Sequence, residues 1–189
     1  MAFIGQLWLP ILLSGFLVFI MSALIWTVLK WHNSEWHGLA NQDAVRAALK
    51  TSDPAPGLYM LPYSTNDKER HSKEFMAKVE EGPSAMLTVM PRGHMNMGAF
   101  MAKSLVINWV VSLFVAYVAW HAYKNAVAPP SYLGVFRVVG AMGFMCYSFA
   151  SLQDSVWFSR PWKSWVLQAC DALLFGLIMG GTFGWLWPR

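Results

Sequence analysis

No Asp, Glu, Lys or Arg occurs between Met1 and Leu29. About 20 consecutive apolar residues suffice to cross a hydrocarbon core roughly 30 Å thick, so this run exceeds the length of a membrane span. It lacks the basic start of a signal peptide, and its apolar stretch is longer than the usual roughly 7–15 residues. No small-x-small cleavage pattern precedes Lys30. The expectation is a retained transmembrane helix.

Three more segments meet the same length criterion. The four expected spans are residues 7–29, 98–120, 132–152 and 164–187. Trp8, Trp31, Trp120, Tyr123, Tyr132, Trp157, Trp162, Trp165, Trp185 and Trp187 cluster at their ends, as expected of rings that prefer the headgroup level. Composition agrees: charged residues are 13% of the chain, against about 25% in an average soluble domain. In hydrocarbon each segment must satisfy its own backbone, and a helix does so. Gly176, Gly180 and Gly184 recur at four-residue spacing, which puts three glycines on one helix face where a neighbouring helix can approach closely.

The connections are unequal. Two are short and carry Pro129-Pro130 and WFSRPW, whereas residues 30–97 are long enough for structure of their own. Within them DAVRAALK reads as a short amphipathic helix with Asp43 as N-cap. The runs at 57–63 and 84–90 read as strands around a charged helical segment. The predicted fold is an all-α integral membrane protein, four transmembrane helices with a small α/β cap at 30–97. The formal charge of +4 is spread over loops and helix ends, so no nucleic-acid partner is expected. Cys146 and Cys170 both lie in apolar runs and do not suggest a disulfide framework.

Chemically unusual residues gather near one face. Helices two and four both start from the side carrying the long connection, with Lys103 and Asp171 at similar depth. A charge within a span costs about 2.5–3.5 kcal/mol on insertion scales, so Asp171 is expected to pair with Lys103 or bond across to Tyr147, Ser148 or Asn108, the functional alternatives being a cation or proton site or a polar headgroup pocket. His32, Glu35 and His37 leave the first helix at the same interface, His94 leads into the second, and Asp154 ends the third. In a helix His32 and Glu35 would share a face, with His37 off it, and the segment is not HExxH. Met90, Met95 and Met97 with His94 offer soft thioethers and an imidazole that would suit Cu(I), although Met is also a common apolar filler. There is no Gly-rich phosphate loop, GxSxG, CxxC or CxxCH pattern.

The runs WHNSEWHGLANQDAVRAAL, PGLYMLPY, GPSAMLTVMP and the terminal GTFGWLWPR together resemble an uncharacterised family of small bacterial inner-membrane proteins. The resemblance covers nearly the whole chain. It implies a bacterial source and a stand-alone domain, and it brings no activity or catalytic residues.

These features point to a non-enzymatic membrane protein that acts through its long connection, as an accessory subunit or in lipid or small-molecule binding. Expected partners are the bilayer and a larger membrane complex or a homo-oligomer, with no cofactor. The alternatives are a metal-handling protein that holds copper at the His/Met cluster, or a small transporter built around Lys103 and Asp171. Lys124, Arg137 and Arg189 lie on one side, against Arg160 and Lys163 on the other. That balance favours both termini in the cytoplasm and residues 30–97 in the periplasm. Alkaline phosphatase fused after Tyr63 should therefore be active and a fusion after Asn125 inactive. Activity at both sites would refute four spans, and the reverse pattern would overturn the orientation.

Overall fold

The structure, a computed structural model, describes residues 2–188. Its elements in chain order are α1 (Ala2–Leu24), α2 (Gln42–Ser52), β1 (Gly57–Leu61), α3 (Asp67–Arg70), α4 (Lys73–Glu81), β2 (Ala85–Val89), α5 (Met97–Tyr123), α6 (Tyr132–Trp157) and α7 (Trp162–Leu186). Helix α1 continues as a π-helical turn, Ile25–Leu29, and is followed by a 3₁₀ turn, Trp31–Glu35. The chain forms two compact units: residues 1–37 with 96–189, and residues 38–95. The turn at 31–37 thus belongs with the long helices and not, as the sequence suggested, with the long connection.

In the first unit, four helices are long and apolar enough to cross a membrane: Phe3–Leu29, Met97–Tyr123, Tyr132–Trp157 and Trp162–Leu186. They form a ring in the order α1, α5, α6, α7, each packed on two neighbours. Inward positions recur every three or four residues, the period of one helix face. On α7 these are Ala172, Phe175, Gly176, Met179, Gly180 and Phe183; on α1 they include Leu7, Ile11, Ser14 and Val18. The opposite faces are apolar as well, with Leu12, Phe16, Ile107, Phe114 and Leu173 exposed. Helices that are apolar all round suit lipid on the outside and side chains within.

The tightest seam joins α6 to α7. A Cβ added at Gly176 would lie 2.6 Å from the Gly140 carbonyl oxygen, and one at Gly180 would lie 2.8 Å from the Phe136 carbonyl oxygen. At Gly184 the nearest atoms are the Tyr132 ring at 2.9 Å. The three glycines face one neighbour, and it is α6. Gly15 serves the α1–α5 seam in the same way: the Trp109 indole lies across it, 2.5 Å from where a Cβ would be. That indole donates to the Leu12 carbonyl at 3.1 Å.

The second unit is built differently. Strands β1 and β2 pair antiparallel, Tyr59 opposite Leu87 and Met60 opposite Met86, as a two-stranded sheet. Asn41, not Asp43, precedes the first helical residue of α2, and Asp43 sits in its first turn. The charged helical segment is two helices, α3 and α4, whose N-caps Asn66 and Ser72 accept from Lys68 N and Phe75 N. Within this unit Ser64 is the one buried residue.

The α6–α7 seam should show a graded response to added methyl groups. Gly176→Ala must displace the backbone of α6 and should lower stability by about 1–3 kcal/mol. At Gly184 a side chain can yield, so the loss should be smaller. Gly5, with nothing within 4 Å, should gain up to about 1 kcal/mol as Ala. Thermal melts in detergent test the ranking, and equal losses at Gly5 and Gly176 would refute the seam.

Candidate functional site

The candidate site lies where the first helix ends. Five residues of wider π pitch, Ile25–Leu29, close with a bond from Lys30 N to the Ile25 carbonyl at 2.7 Å. Lys30 is left-handed, with φ 53°, a conformation that costs a non-glycine residue about 1–2 kcal/mol. That residue turns the chain sharply, and the Trp31–Glu35 turn lies against α7.

The turn delivers two donors to one carboxylate. Trp31 Nε1 donates to Asp171 Oδ1 at 3.0 Å, and His32 Nε2 lies 2.8 Å from Asp171 Oδ2. On its other side, His32 Nδ1 is hydrogen-bonded to Glu35. His32 is 1% exposed and Asp171 7%. The Trp26 ring is stacked on the His32 ring, with centroids 4.4 Å apart and planes 9° from parallel. The imidazole is therefore held at both nitrogens and on one face.

An outer layer completes the charge pattern. Arg160 lies 4.0 Å from Glu35 and 3.9 Å from Asp154. With its amide turned to satisfy both neighbours, Gln168 donates to Ser151 Oγ at 2.7 Å and accepts from Arg160 at 2.9 Å. Lys163 Nζ donates to the Ser34 carbonyl at 3.3 Å. Burial pushes the Glu35 pKa up, but its bonds with His32 and Ser164 and the charges of His32 and Arg160 outweigh that and hold it below the ordinary carboxylate value.

Of the residues singled out in the sequence, His32, Glu35 and Asp171 meet directly, and Asp154 joins through Arg160. Lys103 does not. It is exposed, with Nζ 6.0 Å from the Phe100 ring centre, while the Asp171 oxygens are taken by Trp31 and His32. The long stem of Lys103 lets its ammonium reach towards the interface, so it needs no carboxylate. Tyr147 and Asn108 bond each other at 2.9 Å, and Ser148 binds the Phe144 carbonyl at 2.7 Å; none reaches Asp171. His37 is exposed, as are Met90, His94 and Met95 of the 38–95 unit and Met97 of the first.

Sequence reasoning missed Trp26, Trp31 and Arg160 as parts of the site. Trp31 stands among the belt aromatics in sequence, yet its N–H turns inward to Asp171, and that of Trp165 turns inward to donate to the Ser148 carbonyl at 3.2 Å. The available signal was adjacency: Trp31 and His32 leave the helix together, and a buried indole N–H needs an acceptor.

Around the ring each helix contact carries a polar tie. Ser14 and Ser112 join α1 to α5 at 2.6 Å, Tyr147 and Asn108 join α6 to α5, Trp165 joins α7 to α6, and His32 joins the end of α1 to α7. The last is the only tie of the four between ionisable partners. Compared with family models, curated proteins and solved structures, the chain shows no match.

The His32–Asp171 contact sets up a thermodynamic cycle. Removing one partner strands the other, so His32→Ala and Asp171→Ala should each cost about 3 kcal/mol. The double change should cost at least about 1 kcal/mol less than the sum, whereas Lys103→Ala should stay within about 0.5 kcal/mol of the parent. Equilibrium unfolding in mixed micelles reads all four, and additivity would mean the contact is energetically empty.

Proposed function

We propose that this chain is a membrane-anchored accessory subunit whose 38–95 unit completes its fold against another polypeptide. The observation that carries the reading is the open apolar face of the two-stranded sheet. Leu58 is 79% exposed, and Met60 and Met86, which pair across the strands, stand exposed beside it on the same face. A two-stranded hairpin alone is marginal in water, and here no buried apolar residue supports it.

Two features favour a polypeptide over lipid as the cover. Each strand has one edge whose backbone N–H and C=O groups have no strand partner. Hydrocarbon cannot satisfy those groups, and open sheet edges do not occur in the lipid core. An added strand supplies hydrogen bonds along the edge and apolar side chains over the face together, as in β-strand addition. The bundle, on this reading, anchors the unit in the bilayer, and the partner orders it. A segment that orders on binding gives up part of its interaction energy to ordering, so the association is regulated more readily than a rigid one.

Hydrogen exchange in three preparations tests this. Amides of Gly57–Leu61 and Ala85–Val89 should exchange fast in purified protein in detergent and in lipid nanodiscs, and be protected in native membrane vesicles. Protection in nanodiscs would mean lipid is the cover and would overturn the reading. Protection that appears in detergent as protein concentration rises would identify the partner as a second copy. Fast exchange in all three would remove the accessory role.

A further inference from the structure

His32 offers two ring nitrogens, and each faces a carboxylate oxygen: Nδ1 towards Glu35, Nε2 towards Asp171 at 2.8 Å. A neutral imidazole has one N–H and one lone pair. With both carboxylates ionised, its second contact would set lone pair against lone pair. The geometry is satisfied when both nitrogens carry a proton. The surrounding charges agree: Arg160 faces Glu35 and Asp154, whereas among the described residues the one cation that can face Asp171 is the His32 imidazolium. Trp26, stacked on the ring, places a π face against that cation, a favourable arrangement.

We propose that His32, Glu35 and Asp171 form a proton-binding site whose bound proton latches the Trp31–Glu35 turn to α7, and that loss of the proton releases the turn. From the same turn, Trp31 reinforces the latch through Asp171, and from α7 Lys163 does so through the Ser34 carbonyl. From the segment before α7, Arg160 faces Glu35. The turn leads directly into the 38–95 unit, so the proton state sets how firmly the chain entering that unit is held. This inference rests on the bundle alone and stands whether or not the unit binds a partner.

The direction of the pH dependence follows. Burial alone would lower the His32 pKa, but the hydrogen bonds and charges of Glu35 and Asp171 outweigh it, and the net value is raised above the ordinary 6.5. The stabilisation due to His32 is therefore fully present below pH 6.5 and lost as pH rises through the raised folded-state value. Glu35, held below its ordinary 4.5, contributes stabilisation that is lost only as pH falls through its lowered value. The turn is latched between these limits and opens on the alkaline side.

Two readouts on the full chain test the latch. Nitrogen NMR of ¹⁵N-histidine protein in micelles, with His32 assigned through His32→Gln, should show both ring nitrogens protonated at pH 6.5, with a titration midpoint above that. Glu35→Gln should lower the midpoint by about one pH unit or more. In a Cys146→Ser, Cys170→Ser background, a nitroxide attached at Ser34→Cys at one fixed pH should show spectral mobility that rises across the same midpoint. A single neutral tautomer at pH 6.5, or a midpoint unmoved in Glu35→Gln, would overturn the site. A titrating His32 with nitroxide mobility flat through its midpoint would overturn the latch.

Discussion

A carboxylate inside an apolar span must find donors, and the way Asp171 finds them organises one end of the bundle. Its two oxygens take the indole N–H of Trp31 and a ring nitrogen of His32, so the chain after α1 cannot simply run off into solvent. It must bend back, and the left-handed Lys30 provides the bend. The energetic logic is asymmetric. A buried pair adds little over well-packed apolar side chains, but losing either member is severe. The contact therefore acts more as a specification of where the turn sits than as a source of net stability.

The two units answer the problem of burial in opposite ways. In the bundle, glycines bring backbones close and a polar tie spans each helix contact, while large apolar side chains line the outside. Such ties contribute about 0.6 kcal/mol each on average in membranes, so close packing carries most of the association. In the 38–95 unit the helices are short, the sheet has two strands and apolar side chains face outwards. What holds these elements is polar: the caps of Asn66 and Ser72, the strand ladder and an exposed Arg92–Asp53 ion pair. Exposed pairs contribute at most about 1 kcal/mol.

Much of the bundle was legible because hydrocarbon imposes a length rule and a backbone rule that leave few alternatives. Spans, short connections and the glycine-rich face follow from spacing alone. The site was legible only in part. Asp171 is conspicuous as a charge in a span, but its partner lies 139 residues away in sequence. Depth pointed to Lys103, and depth is a poor guide when a long side chain can reach water along the helix surface. His32 and Glu35 showed as a pair at helical spacing. The fact that they fold back was hidden, because neither the π turn nor the conformation of Lys30 has a sequence signature here: no glycine or asparagine marks the reversal.

The π turn at Ile25–Leu29 gives this segment a property that side chains do not. A π-helical stretch holds one residue more than an α-helix needs to cover the same height, and each residue of an α-helix rotates the chain by about 100°. Deleting Thr27, Val28 or Leu29 would let the helix cover the same height at α pitch, so Trp31 and His32 would keep their register with α7. The turn thus absorbs a residue that the path of the chain does not need, while Ile25, fully buried, and Trp26, stacked on His32, are held by their side chains. One deletion there is absorbed, whereas a second would rotate the end of the helix by about 100° and carry His32 away from Asp171.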